Sequence, residues 1–318
     1  MARKIVFVQE INETHEKQIR SIARDWELIS GKDRELWLPH LADAEIVAGW
    51  NSTATKECLQ QDTMLRWVQS WGAGVDRMPL TALSEYGVLL TNSSGVHPNP
   101  ISESIFAMML GLTRQLQRSI RNQLQHKWEQ LNGLGEIHGK TIGILGVGSI
   151  GLEVAKISKV FGMTVLGVKR TLSESVYVDR MVMMDSLDEV LRESDYIVNT
   201  LPHTSETNHV MGHAQFAAMK ASAFYINIGR GGTTDTEALI EALQQGTIAG
   251  AGLDVFEVEP LPADNVLWDM DNVIISAHNT GITEYYQERA MHIFLRNLKD
   301  YVEGREPQLN RVNLEQQY

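Results

Sequence analysis

Apolar residues in this 318-residue chain fall into short runs separated by amphipathic stretches, and the two kinds alternate from one end to the other. In the first hundred residues, Ile5 to Val8, Glu45 to Ala48, Trp67 to Gln69 and Val88 to Thr91 read as strands. Helical spacing recurs between them, near Glu13 to Arg24 and Thr55 to Gln60. That order predicts a small open α/β domain. Asn99-Pro100 then offers an N-cap and a proline at the first helical position, and helical spacing continues to about Trp128. One long connecting helix over 99–128 is expected.

From Thr141 the alternation resumes in longer form. Strands are expected at Thr141 to Leu145, Met163 to Val168, Tyr196 to Thr200, Phe224 to Ile228, Ala251 to Val255 and Val273 to Ser276. Helical stretches near Ser149 to Phe161, Ser186 to Glu193, His213 to Met219 and Thr236 to Gln245 separate them. A strand–helix–strand series of this kind predicts a parallel, doubly wound sheet. A last amphipathic stretch, about Thr283 to Val302, is placed to return the chain to the first domain. The expected domains are therefore 1–98 with 284–318, and 99–283 including the helix 99–128.

Composition narrows the function. A formal net charge of −12 argues against a nucleic-acid backbone as partner. The most apolar helical stretch, Ile101 to Leu112, is interrupted by Ser102, Glu103 and Ser104 and is too short to span a bilayer, so no membrane role is expected. Cys58 is the one cysteine, which excludes an internal disulfide, and Met1-Ala-Arg-Lys opens directly into a strand; a cytoplasmic protein is expected.

The run Lys140-Thr-Ile-Gly-Ile-Leu-Gly-Val-Gly-Ser-Ile-Gly151 carries the first chemistry. A strand precedes Gly146, Gly148 and Gly151, and a helix starting with Ser149 and Ile150 follows. Gly146 permits a tight turn, Gly148 a close approach of backbone to a pyrophosphate, and Gly151 close packing of helix on strand. A dinucleotide cofactor is expected. At the end of the second strand of such a fold a carboxylate selects NAD, but this chain has Lys169-Arg170-Thr171. Two cations suit a 2′-phosphate, so NADP(H) is preferred, with NAD(H) as a weaker substitute.

Three later segments each follow or end an expected strand: Asn227-Ile-Gly-Arg-Gly-Gly232, Leu253-Asp-Val-Phe-Glu-Val-Glu-Pro260 and Ser276-Ala-His-Asn-Thr-Gly281. They offer a guanidinium, a carboxylate and an imidazole at one sheet edge. A 2-oxo acid calls for that set: a cation for its carboxylate, a proton donor for its carbonyl oxygen, and an acid that supports the donor. His203, His209 and His213 lie close in sequence but lack a zinc-binding arrangement, so no metal is expected. Trp26, Trp37, Trp50, Trp67 and Trp71 read as core of the first domain.

In this order behind the glycine motif, the segments resemble the D-isomer-specific 2-hydroxyacid dehydrogenase family, which includes glyoxylate/hydroxypyruvate reductases, D-lactate dehydrogenases and phosphoglycerate dehydrogenases. The resemblance covers nearly the whole chain. It implies a Rossmann cofactor domain inserted into a smaller flavodoxin-like substrate domain, with Arg230, Glu259 and His278 catalytic, and Arg230 and His278 also holding substrate. It implies that Ala73, Gly74 and Val75, within Trp71-Gly-Ala-Gly-Val-Asp76, present backbone amides to the substrate carboxylate. Leu201, Pro202, Thr207, Ile228, Gly229 and Asp254 would border the cofactor, Asp254 at its carboxamide. Family members pair as homodimers through the cofactor domain, which places 99–128 at an interface.

The reading is an NADP-preferring reductase of small 2-oxo acids, with glyoxylate or hydroxypyruvate as leading substrate. Two alternatives stand beside it: a phosphoglycerate dehydrogenase, although the chain has no room for a regulatory domain, and a non-catalytic NAD(P)-sensing protein of the same fold. Glu259, where formate dehydrogenases carry glutamine, counts against that activity.

Overall fold

The computed structural model describes residues 3–75 and 78–314; Asp76, which ends the run begun by Trp71, lies outside them, as do Met1 and Ala2. The chain divides into two compact units, one made of residues up to Val96 together with those from Glu284 onward, the other of His97–Thr283.

The first unit begins with β1 (Lys4–Phe7), α1 (Glu13–Ile22), β2 (Glu27–Ile29), α2 (Arg34–Trp37), β3 (Ile46–Ala48), α3 (Ser52–Cys58), β4 (Trp67–Gln69), α4 (Leu80–Glu85) and β5 (Leu89–Thr91). Its sheet has the order β2-β1-β3-β4-β5 with every pair parallel, a doubly wound topology. β2 escaped the sequence reading because it is a three-residue edge strand with one exposed and two half-buried positions. Trp26, Trp37 and Trp67 are buried as expected. Trp50 and Trp71 are only half-buried, and both line a cavity of about 980 Å³ at the carboxyl ends of β1, β3 and β4.

The second unit runs α5 (Pro98–Thr113), α6 (Leu116–Leu124), β6 (Thr141–Leu145), α7 (Ser149–Val160), β7 (Thr164–Val168), β8 (Arg180–Val182), α8 (Leu187–Glu193), β9 (Tyr196–Asn199), α9 (His213–Ala218), β10 (Phe224–Asn227), α10 (Thr236–Gln244), β11 (Gly250–Leu253) and β12 (Val273–Ile275). The parallel sheet has the order β12-β11-β10-β9-β6-β7-β8. Ile142 to Leu145, all of β9 and all of β11 are buried, the mark of a sheet covered on both faces. β8, a short and partly exposed edge strand, was not anticipated either.

The single helix expected over 99–128 is two. α5 stops at Thr113, Gln115 takes a left-handed backbone with φ of 51°, and α6 ends at Leu124. Later residues close the break: Gly135 donates its amide to Thr113 O at 3.1 Å, Arg114 Nη1 reaches Gly135 O at 2.9 Å, and Gln115 Nε2 reaches Asn132 O at 3.0 Å. Helical spacing carries no trace of such a return. The start also differs, with Pro98 at the first position and His97 as N-cap instead of Asn99. Pro98 and Pro100 both sit where a helix amide has no partner within the helix, so either proline is tolerated.

The last helix, α11 (Tyr286–Val302), belongs to the first unit. Its Met291, Phe294 and Leu298 join Ile5, Phe7 and Trp67 in one core, and the Phe294 ring stacks on Trp67 with centroids 5.3 Å apart. The first sheet is thus covered by a helix that follows its last strand by about two hundred positions.

Candidate active site

The order of the seven-stranded sheet reverses between β6 and β9, and open α/β sheets bind ligands outside their strands' carboxyl ends at such a crossing. The turn leaving β6 fits a dinucleotide. Gly146 has φ of 95°, and a Cβ there would lie 2.9 Å from Thr200 Oγ1. Around Gly148 there is open space, so a ligand can approach its backbone closely. At Gly151 a Cβ would sit 2.4 Å from Gly146 O, so only glycine lets α7 pack this near the turn. Ser149 and Ile150 open α7, whose first amides have no side-chain cap and so suit an anion.

Lys169, Arg170 and Thr171 leave the carboxyl end of β7, the strand beside β6. Lys169 Nζ holds Ser173 Oγ at 3.0 Å, while Arg170 and Thr171 are exposed.

β9 and β10 end alike. Leu201 is buried and its amide donates to Asn199 Oδ1; the Gly229 amide donates likewise to Asn227 Oδ1. A Cβ on Gly229 would lie 2.6 Å from Leu201 O, so the two loops touch along their backbones. Ile228 is buried and Pro202 exposed. Thr207 is turned inward: its hydroxyl donates to Pro202 O at 2.6 Å and accepts the Thr204 amide at 2.8 Å, closing the loop on itself. Arg230 follows Gly229, half-buried, with Nη1 on Gly229 O at 2.8 Å.

Glu259 and His278 come from the loops after β11 and β12. His278 Nδ1 lies 2.9 Å from Glu259 Oε2, and Glu259 Oε1 also accepts the Phe256 amide at 3.1 Å. His278 has a left-handed backbone, φ of 52°, and its amide donates to Asp254 O at 2.8 Å. The Asp254 carboxylate is buried and holds the histidine loop. One oxygen takes the Ser276 hydroxyl and the Asn279 amide, the other the Thr280 amide and hydroxyl. Four donors fill its acceptor positions, so Asp254 acts on this loop in the structure.

Arg230 joins the pair through backbone. A Cβ on neighbouring Gly231 would lie 1.9 Å from the carbonyl carbon of Phe256, the residue whose amide orients Glu259. The glycine turn, Arg230, Glu259 and His278 thus occupy the carboxyl edge of one sheet. Ala73, Gly74 and Val75 belong to the first unit, in the loop after β4; Val75 is buried and Ala73 O accepts Asn92 Nδ2 at 2.9 Å.

The sequence reading missed the supports. Asn199 and Asn227 each end an apolar strand run, and that repeated position was the available signal. His209 lies 2.6 Å from Glu257, and His213 and Glu241 are 3.3 Å apart. Among the described residues no group of three metal-binding side chains comes together, and no helix is long and apolar enough to cross a membrane.

The chain is similar to known proteins over most of its length. Residues 106–280 match the family described as D-isomer specific 2-hydroxyacid dehydrogenase, NAD binding domain. The chain is 31% identical over 322 residues to D-3-phosphoglycerate dehydrogenase of Methanocaldococcus jannaschii, covering 99% of this chain and 60% of that protein's length. It is 39% identical over 247 residues to glyoxylate/hydroxypyruvate reductase B of Pectobacterium atrosepticum, covering 76% of this chain and 77% of that one. A solved D-isomer specific 2-hydroxyacid dehydrogenase family protein from Aeromonas salmonicida superposes with a TM-score of 0.86 at 32% identity, covering 99% and 100% of the two chains.

Proposed function

The chain belongs to the D-isomer specific 2-hydroxyacid dehydrogenase family, and from that premise we propose that it reduces small 2-oxo acids, glyoxylate and hydroxypyruvate first among them, with NADPH as preferred cofactor. The observation that carries the reading is the 2.9 Å contact between Glu259 and His278 Nδ1, on the sheet edge that also bears Arg230 and the glycine turn.

Glu259 occupies Nδ1, which leaves Nε2 of His278 to serve the substrate. Protonated His278 gives its Nε2 proton to the carbonyl oxygen. Glu259 stabilises that imidazolium and fixes the ring, as a carboxylate beside histidine does. Arg230 grips the substrate carboxylate and draws charge toward the carbonyl oxygen as it develops. The hydride that reaches the carbonyl carbon comes from the bound dihydronicotinamide. Asp254 holds the loop on which His278 rides. For Ala73, Gly74 and Val75 the proposed part is amide donation to the substrate carboxylate.

The glycine turn and the first turn of α7 would hold the pyrophosphate, with Leu201, Pro202, Ile228 and Gly229 along the cofactor and Thr207 shaping its loop. Lys169, Arg170 and Thr171 would meet the 2′-phosphate, and their charge supports NADPH over NADH. We place the enzyme in a reducing compartment, the cytoplasm, where the buried Cys58 thiol persists. A homodimer through the second unit is supported by α6, whose Leu116, Ile120 and Leu124 share a face that stays exposed, with Trp128 beyond it 97% exposed.

The test is a panel of glyoxylate, hydroxypyruvate, pyruvate, phenylpyruvate and phosphohydroxypyruvate, each with NADPH and NADH. Fast turnover of the first two with NADPH is expected. Preference for the phosphorylated acid would favour a phosphoglycerate dehydrogenase, and cofactor binding without turnover a sensing role.

A further inference from the structure

Beside Glu259 and His278 the second unit holds another carboxylate–imidazole pair, whose Glu257 stands two residues before Glu259 on the same loop. His209 Nε2 lies 2.6 Å from Glu257 Oε1, and Glu257 Oε2 accepts the Thr236 amide at 2.8 Å. Proton transfer to the substrate makes no use of either residue. Both side chains are partly exposed, 44% and 29%, and pairs in such surroundings add little to global stability.

The backbone around the pair shows what it joins. His209 donates its amide to Gly232 O at 2.9 Å, Met211 to Thr233 O at 3.1 Å, and Asp235 returns to Met211 O at 2.9 Å. These bonds sew the segment after Thr207 onto the loop that carries Arg230. Phe256, next to Glu257, presses on Gly231, and its amide orients Glu259. Three loops, bearing Thr207, Arg230 and Glu259, meet at Glu257. Partial burial pushes the Glu257 carboxyl upward, but bonds from Thr236 and His209 outweigh it and hold the group below the usual carboxylate range. It therefore stays an anion at neutral pH, ready for two donors.

We propose that His209 and Glu257 are positioning residues that clamp the Arg230 and Glu259 loops in register, a role that rests on the functional reading above. The clamp acts through those two side chains and makes no contact with substrate. Displacement of a reacting group by about 1 Å costs on the order of 100-fold in rate, so a weak surface pair is enough to matter.

The experiment compares His209→Ala, Glu257→Ala, His209→Gln and Glu257→Gln in the full chain. Gln at 209 keeps an N–H donor near the position of Nε2, and Gln at 257 keeps an acceptor for the Thr236 amide. Three quantities are read: steady-state kinetics with hydroxypyruvate, NADPH affinity by fluorescence, and hydrogen exchange of peptides spanning 229–236 and 254–260. Each alanine variant is expected to lose about 10- to 100-fold in kcat with KM and NADPH affinity within about threefold. Exchange should quicken in the two loops only, and each glutamine variant should recover most of the loss. Unchanged exchange in both loops overturns the clamp, as does equal loss in the alanine and glutamine variants or a fall in cofactor affinity that tracks kcat. A wild-type protein inert toward every 2-oxo acid, yet showing the exchange response, would overturn the functional reading and leave the clamp standing.

Discussion

Asn199 and Asn227 are register partners at the carboxyl ends of β9 and β10, and each closes the same turn, its side-chain oxygen accepting the amide two residues on. Their side-chain nitrogens meet a buried hydroxyl cluster. Asn199 Nδ2 donates to Tyr225 Oη and Thr233 Oγ1, and Asn227 Nδ2 to Thr234 Oγ1 and the carbonyl of Arg230. Tyr225 Oη and Thr234 Oγ1 close the network at 2.7 Å. The loop beside the glycine turn and the loop carrying Arg230 thus stand on one buried polar support.

Tyr225→Phe removes one hydroxyl from that support and should cost about 1–3 kcal/mol of stability near neutral pH. Burial pushes the Tyr225 hydroxyl up to about 12, above the value near 10 of an unfolded tyrosine. A folded-state value raised in this way gives stability that is whole below about pH 10 and is lost as pH rises through 12. Denaturant unfolding at pH 8 and pH 11 checks both points: the wild type should lead at pH 8 and the gap should narrow at pH 11.

Asp195 ties the amino end of the same sheet, accepting the Thr141 amide and the Lys220 ammonium, each at 2.9 Å. Burial raises its carboxyl, but those partners overcome the effect and hold it below the usual carboxylate range. A depressed folded-state value gives stability that is present above about pH 4 and lost as pH falls further. Asp195→Asn should cost about 1 kcal/mol at pH 7 after allowance for solvent screening, and progressively less as pH falls below about 4, by thermal unfolding.

Cofactor choice should follow Lys169 and Arg170. Their joint replacement by alanine is expected to raise KM for NADPH by about tenfold, with about thirtyfold as the ceiling, and to leave KM for NADH within about twofold, since an exposed charge pair contributes about 1 kcal/mol or less apiece. Equal losses with both cofactors would remove these side chains from the 2′-phosphate.

Assembly should follow α6. Ile120→Asp puts a charge in the exposed apolar face between Leu116 and Leu124, and light scattering is expected to show a dimer for the wild type and a monomer for this variant. A monomeric wild type would contradict the assignment of this face.

What the sequence reveals and what it hides have physical causes. Strands β6, β7 and β9 to β11 were legible because apolar runs long enough to be buried on both faces leave a clear signature, which edge strand β8 lacks. The glycine turn was legible because only glycine meets the positive φ at 146 and the close contact at 151. Arg230, Glu259 and His278 lie in the loops that follow β10, β11 and β12 in order. The break after Thr113 was hidden because its causes, Asn132 and Gly135, lie about twenty residues further on. The hydrogen bonds of Asp254 and Thr207 to their own loops were hidden in the same way, because only the fold brings Asn279, Thr280 and Pro202 to them.

The most direct test of a guanidinium, an imidazole and a carboxylate serving one 2-oxo acid is kcat/KM for NADPH-dependent hydroxypyruvate reduction by Arg230→Ala, measured with its NADPH affinity. A loss of about 100-fold or more, with cofactor affinity within about threefold of wild type, is the predicted result. Undiminished reduction by that variant would contradict it.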